Sequence, residues 1–326
     1  MNKLLVICGP TATGKTSLGI YLAKKFNGEI VSADSRQVYR GMNIGTGKDL
    51  PKNSKLKTQN SKLPVGYYLF EGIPVWLLDV VEPNQEFSVA QYVELAQKII
   101  DDIWQRRKLP IIVGGTGFYI KGLIDGIETL GVEPDWELRM RLENLPAQNL
   151  FELLSRTDPV KAVSLNASDR KNPRRLIRAI EVASKQQTTK DKGQRISGQG
   201  NALFIGLKAE IKELYRRIDR RVEERVKLGV EKEIKKLSKK SSSWHLPAMS
   251  ALGYREWRDF FENKATQEEV IQKWKFDEHG YARRQLTWFK KDKRINWFDV
   301  DKKNWKKKVA DLVKSWYNKD IKIQCF

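Results

Sequence analysis

Along the first third of the chain, short unbroken apolar runs alternate with stretches of helical periodicity. Leu4-Leu5-Val6-Ile7-Cys8, Glu29 to Ala33, Val75 to Val80 and Leu109 to Val113 read as strands. Their apolar positions do not alternate with polar ones, as expected of strands buried on both faces. Helical patterns lie between them. One covers Ser17 to Phe26; another opens at Ser88-Val89-Ala90-Gln91, which has capping-box spacing, and runs to about Arg107. Strands of this kind separated by helices predict a mostly parallel sheet covered on both faces.

Past Gly126 the pattern changes. Residues 134–185 are mainly helical, punctuated by Pro146, Pro159 and Pro173. Gln186 to Asn201 is polar and Gly-rich and reads as a loop. Ala202 to Leu207 is one more core strand, so the helical block is an insertion into the α/β domain. From Ile211 onward the chain is again helical and strongly basic, with a short polar loop at Lys239 to Ser243. The expected organisation is an α/β core with a mostly parallel sheet (1–130), an inserted all-helical domain (131–200), and a core completion with a helical C-terminal region (201–326).

The 326 residues include 61 Lys and Arg against 40 Asp and Glu, a net charge of +21. This excess is spread along the chain and points to a polyanionic partner, either nucleic acid or an anionic membrane surface. No window is long and apolar enough to span a membrane. The opening apolar run is too short for a signal peptide and leads at once into a Gly-rich loop, so it reads as a core strand. Cys8, Cys325, His245 and His279 have neither disulfide nor zinc spacing. Cys8 is expected to be a buried small hydrophobe, and the cytoplasm is the expected compartment.

The first strand, the segment Gly9-Pro10-Thr11-Ala12-Thr13-Gly14-Lys15-Thr16 and the helix after it form the strand, loop and helix of a P-loop. Such a loop directs backbone N–H groups at an anion, and the helix dipole adds to the attraction. Lys15 can neutralise phosphate oxygens and Thr16 can hold Mg²⁺. The motif does not say which phosphate compound is bound.

Other segments fall where strand ends collect in a parallel sheet. Asp34, after the second strand, can act as a general base or hold Mg²⁺ through water; it is equally placed for an Asx turn. Asp79 ends an apolar run as a Walker B aspartate does, or is a polar strand end. Gly114-Gly115-Thr116-Gly117 gives either a hydrogen-bond donor in the cleft or a tight turn. Arg174, Arg175 and Arg178 make a basic face near a helix start; Arg217 and Arg221, at i and i+4, could clamp a diphosphate or lie in solvent. Ser250 to Arg255 and Tyr281 to Phe289 interleave aromatic and basic residues, which suits RNA, although Trp288 and Phe289 fit a helical core as well.

These segments, with Gly41-Met42-Asn43-Ile44-Gly45-Thr46 and Asn172 to Val182, together resemble the tRNA dimethylallyltransferases, from Gly9 almost to Phe298. The resemblance implies a P-loop NTPase-like core that binds dimethylallyl diphosphate with Mg²⁺. It also implies a partner tRNA, gripped at its anticodon stem-loop by the inserted domain. A monomer is expected. Gly9 to Thr16 and Arg221 would bind the diphosphate, with Thr16 at the metal. Asp34 would be the base on the adenine N6 amine, and Lys15, Thr16 and Arg221 would assist the leaving group. Asp34, Ser35, Arg36, Gln37, Thr116, Arg139, Arg174, Arg175, Leu176, Ile177, Arg178, Ser250, Ala251, Leu252, Gly253, Tyr254 and Arg255 would meet tRNA. The polar tract Lys52 to Lys62 has no assigned role. A P-loop kinase shares the loop but explains neither the charge nor the arginine-rich insertion. A non-catalytic RNA-binding protein explains the charge but makes the matching segments a coincidence. An enzyme prenylating free adenine nucleotides shares the core but has no use for the inserted block.

Overall fold

The computed structural model describes residues 2–58, 63–127, 129, 132–186, 201–240, 244 and 246–319. The polar tract at Lys52 to Lys62, the loop at Gln186 to Asn201 and the loop at Lys239 to Ser243 therefore lie partly outside the described residues. His245 and Cys325 lie wholly outside them.

The chain divides into two compact units, Met1–Asp125 with Ile196–Phe326, and Gly126–Arg195. In the first, β1 (Leu4–Cys8) precedes α1 (Lys15–Lys25), β2 (Gly28–Ser32), β3 (Tyr67–Phe70) and β4 (Ile73–Trp76). Then come α2 (Val89–Gln105), β5 (Leu109–Val113) and α3 (Gly117–Asp125). The sheet order is β3-β4-β2-β5-β1, continued by β6 (Ala202–Lys208) and β7 (Ile295–Asp299). Among the described strands only β3 pairs antiparallel to its neighbour. Val6 of β1 lies between Ile112 of β5 and Phe204 of β6, so the strand carrying the P-loop runs through the middle of the sheet.

Each face of that sheet is covered. Val6, Ile112 and Trp76 pack with Tyr92, Ile99 and Ile103 of α2 and Ile120 of α3. Leu5, Ile7 and Ile111 pack on the other face with Leu18 and Leu22 of α1 and with Val309 and Val313 of α13 (Trp305–Asn318). Burial of each such side chain is worth about 1.5–3 kcal/mol. The capping box at α2 forms: Gln91 N donates to Ser88 Oγ at 3.3 Å, and Ser88 N to Gln91 Oε1 at 2.8 Å. Cys8 is fully buried, and desolvation pushes its thiol up to about 12, so it is inert packing.

Two expectations need correction. The apolar run at 75–80 is not one strand: β4 stops at Trp76, because Leu77 and Asp79 take φ values of 62° and 53°. The strands β3 and β7 have no counterpart in the sequence reading.

The second unit is helical: α4 (Trp136–Leu142), α5 (Ala147–Thr157), α6 (Pro159–Ser164), α7 (Ala167–Arg170) and α8 (Pro173–Gln186). The three prolines mark helix starts. Pro146 is the N-cap of α5, while Pro159 and Pro173 are the first residues of α6 and α8. Leu142, Leu150, Leu154, Leu176 and Ile180 form the core of this unit.

After β6 come α9 (Ile211–Lys227), α10 (Val230–Lys240), α11 (Arg258–Phe261) and α12 (Gln267–Phe289). Met42, Val222, Ile234, Tyr254, Trp257 and Trp274 join into a third apolar cluster. On α12, Phe289 is core, but Trp288 is 42% exposed and sets its ring edge-on to exposed Phe118, 6.5 Å away.

Candidate active site

The P-loop leaves β1 through Gly9 at φ +134°, where a Cβ would stand 2.3 Å from the Leu207 carbonyl oxygen, so glycine is required. Gly14, at φ +81°, turns the chain into α1. Among the described residues no side chain caps α1, and its first turn holds no acidic residue, so its leading N–H groups remain available to an anion. The Thr13 hydroxyl and the Lys15 ammonium both donate to the Pro10 carbonyl, at 2.9 and 2.6 Å. Desolvation, then the Arg221 guanidinium, pulls Lys15 down to about 8; Asp34 and Cys8 partly oppose this. Thr16 is exposed at the helix start.

Asp34 follows β2 directly and does form the Asx turn. Its Oδ1 accepts from Arg36 N at 2.8 Å and from Gln37 N at 3.3 Å. Among the described residues, Oδ2 takes no hydrogen bond, and the carboxylate is close enough to influence Lys15. The turn therefore orients the carboxylate and leaves one oxygen free, so the two readings of Asp34 are compatible. The strand-end glycines also form a tight turn: a Cβ on Gly114 would stand 2.1 Å from the Ala33 carbonyl oxygen. Thr116 N donates to that same oxygen at 3.1 Å, and Thr116 Oγ1 accepts from Ser35 N at 3.0 Å. Tyr281 of α12 also faces this turn; burial, then Asp34, raises its phenol above the usual range.

Arg221 reaches the P-loop from α9. Its Nη1 lies 3.4 Å from Thr11 Oγ1, and its Nη2 donates to the Gly47 carbonyl at 3.0 Å and to Asp49 at 2.9 Å. Arg217 does not join it, because Glu213 and Asp301 hold its guanidinium at 2.8 and 2.6 Å; the two-arginine clamp is not formed. Asp79 is not a Walker B residue here. It is buried against the Lys48 ammonium, and Tyr68 donates to its Oδ2 at 2.6 Å. The loop 41–46 is pinned by Glu233 of α10, whose carboxylate accepts from the N–H groups of Asn43, Ile44 and Gly45 at 2.9–3.1 Å. Tyr254 adds its hydroxyl to that carboxylate at 2.5 Å.

Sequence reasoning took in Gln285 only as part of the segment Tyr281 to Phe289 and gave it no role of its own. From α12 it accepts from Thr11 N at 2.9 Å and donates to the Gly115 carbonyl at 3.0 Å. The Thr11 N–H is thus already engaged, and that residue's hydroxyl oxygen accepts from Arg221.

The IPP transferase family profile matches residues 37–292, and the isopentenyl transferase profile matches residues 2–63. The tRNA dimethylallyltransferase of Roseiflexus sp. (strain RS-1) is 39% identical over 323 residues, which cover 97% of this chain and 99% of the relative. The chain belongs to the tRNA dimethylallyltransferase family. Among solved structures, the tRNA isopentenylpyrophosphate transferase of Bacillus halodurans is 33% identical at a TM-score of 0.70, with 100% of each chain covered. A eukaryotic dimethylallyltransferase described as acting on tRNA is 25% identical at 0.77, over 99% of this chain and 80% of that one.

The further side chains that the resemblance assigns to tRNA lie in differing surroundings. Arg139 and Arg178 do not project as free cations. Both bind the fully buried Glu181, and Arg178 also donates to the carbonyls of Thr129 and Val132 at 2.9 and 2.8 Å. Desolvation raises the Glu181 carboxyl, but bonds from Arg139, the Asp135 N–H and Arg178 outweigh it and hold the group below the usual range. Arg175 pairs with Asp169, whereas Arg174 is exposed and meets no carboxylate among the described residues. Leu176 and Ile177 are core. Ala251, Gly253 and Tyr254 are likewise buried, so in 250–255 only Ser250, Leu252 and Arg255 retain accessible surface. Arg36 donates to the Pro247 carbonyl at 2.8 Å, and the Gln37 amide to the carbonyls of Thr46 and Gly47 at 3.3 and 3.0 Å.

Proposed function

We propose that this chain transfers a dimethylallyl group from dimethylallyl diphosphate to N6 of the adenosine at position 37, next to the anticodon of a tRNA. The observation that carries the reading is the half-used carboxylate of Asp34, near enough to influence Lys15 of the P-loop, together with Arg221, which lies 3.4 Å from Thr11 of the same loop. Family membership supplies the substrate class, and the net charge of +21 suits the polyanion. Among the described residues, no helix is long and apolar enough to cross a membrane.

The adenine leaves its stack so that N6 reaches the cleft. The leading amides of α1, Lys15 and Arg221 hold the diphosphate. N6 attacks C1, the bond from C1 to the diphosphate oxygen breaks, and the amine's proton passes to Asp34 Oδ2. Lys15 and Arg221 stabilise the charge that grows on the leaving group. Magnesium keeps several waters and binds through few protein oxygens plus phosphate, so the Thr16 hydroxyl beside a diphosphate fits it without a carboxylate cluster. When bound, it would supply further neutralisation of the leaving diphosphate. We read the protein as acting as a monomer, each chain carrying all the groups named here.

The test is incubation of the purified protein with Mg²⁺, labelled dimethylallyl diphosphate and unmodified tRNA. Label on the adenine beside the anticodon is expected. Label on free AMP, or consumption of ATP, would replace this reading with a nucleotide prenyltransferase or a kinase.

A further inference from the structure

Gln285 is only 6% exposed and has no part in the chemistry above, yet it joins both halves of the site. Through Oε1 it holds Thr11 of the diphosphate loop; through Nε2 it holds Gly115, whose neighbour Thr116 is bonded to Ser35 beside Asp34. The fit is close on both sides. A Cβ on Gly115 would stand 2.2 Å from the Gln285 amide nitrogen, so glycine makes room for it. The Thr11 hydroxyl oxygen in turn accepts from Arg221 Nη1 at 3.4 Å. The partners are one N–H and one C=O, and only a group that both accepts and donates can satisfy the two at once. A carboxylate would repel the Gly115 carbonyl, and an apolar side chain would leave both groups unpaired and buried.

We infer that Gln285 is a positioning residue for prenyl transfer: its amide sets the separation between the diphosphate loop and the loop that orients Asp34, and so the distance between C1 and the attacking amine. The inference rests on the prenyl-transfer reading. Misplacement by about 1 Å costs on the order of 10²-fold in rate.

Gln285→Met and Gln285→Glu test it, each compared with wild type in single-turnover prenylation across about pH 5.5–8, with tRNA binding and thermal melting measured alongside. The Met variant keeps the volume but neither bond. Its rate is expected to fall about 10²-fold while tRNA affinity is little changed. The Glu variant is expected to be slow at pH 8 and to gain rate relative to wild type as pH falls. A protonated carboxyl again accepts from Thr11 and donates to Gly115, and desolvation favours that neutral form. A role in folding alone would lower the melting temperature, leave the rate of folded enzyme intact and give no gain in acid; that result overturns the inference. Should the Met variant not fold, the acid gain of the Glu variant decides alone. A wild-type protein that prenylates no tRNA defeats the prenyl-transfer reading instead, whereas active wild type with an equally active Met variant defeats only the role of Gln285.

Discussion

Arg139 meets Glu181 in a two-point bond, Nε to Oε1 at 2.9 Å and Nη2 to Oε2 at 3.0 Å. The carboxylate is fully buried while the arginine keeps 30% of its surface in water. Arg178 donates to the same carboxylate at 2.5 Å. The pair of cations is therefore what allows a charge to sit inside the helical unit.

This arrangement predicts that Arg139→Ala or Glu181→Ala destabilises the helical unit. Removing one partner of a buried ion pair costs about 3–5 kcal/mol, and the low end applies because the arginines are partly hydrated. Because the Glu181 carboxyl lies below its usual range when folded, its contribution is complete above the unfolded value of about 4.3 and is lost as pH falls through the folded value. Chemical denaturation from pH 7 down to about pH 3 should show a Glu181-dependent loss in acid that Glu181→Gln abolishes. Equal acid sensitivity in that variant would count against the pairing.

Arg174 and Arg178 should separate in their effects. Arg174 is exposed without a carboxylate partner, so Arg174→Ala should weaken tRNA binding and reduce the salt slope by about one. It should leave thermal stability within about 0.5 kcal/mol of wild type. Arg178→Ala should lower the melting temperature first, because it uncouples Glu181 and the carbonyls of Thr129 and Val132. Salt titrations of tRNA affinity with paired melts distinguish the two; an unchanged slope for Arg174→Ala removes it from the phosphate contacts.

Asp34 bears directly on the chemical step. Asp34→Ala and Asp34→Asn should slow single-turnover transfer about 10²–10⁴-fold. The Asn variant can still accept from Arg36 N and Gln37 N, so its turn should survive and its fold with it. Near-normal transfer by a folded Asn variant would remove the general-base role.

Lys15 gives the site a dependence on alkaline pH. Its free-protein value of about 8 means that it is already charged below that pH and neutral above it. A bound diphosphate favours the charged form, so binding above about pH 8 must draw in a proton, and affinity should drop up to about tenfold per pH unit. Calorimetry of an alkyl diphosphate in buffers of different ionisation enthalpy should register proton uptake at pH 9 and little at pH 7. No uptake at pH 9 would mean that Lys15 does not face the ligand.

By itself, the order of residues determined what depends on neighbours along the chain. The unbroken apolar runs of β1, β2, β5 and β6, the glycines of the P-loop and the Ser88–Gln91 capping box were all legible, because periodicity, φ and capping are local properties. The strands β3 and β7 escaped notice because they lie at the sheet's two edges and are only partly buried, unlike the central strands. Tertiary structure alone decided which charges are free. Arg139 and Arg178 carry the same sign as Arg174; Glu181 lies one helical turn from Arg178, but only folding brings it against Arg139, 42 residues away, and buries it between the two. Asp79 finds Lys48 in the same way, 31 residues away. Gln285 is a neutral residue in a helix, with no periodic or charge signal, and its partner Thr11 lies 274 positions earlier. A hydrogen bond across that span leaves no trace in local sequence, because its geometry depends on a sheet that only exists once β1, β5 and β6 have paired.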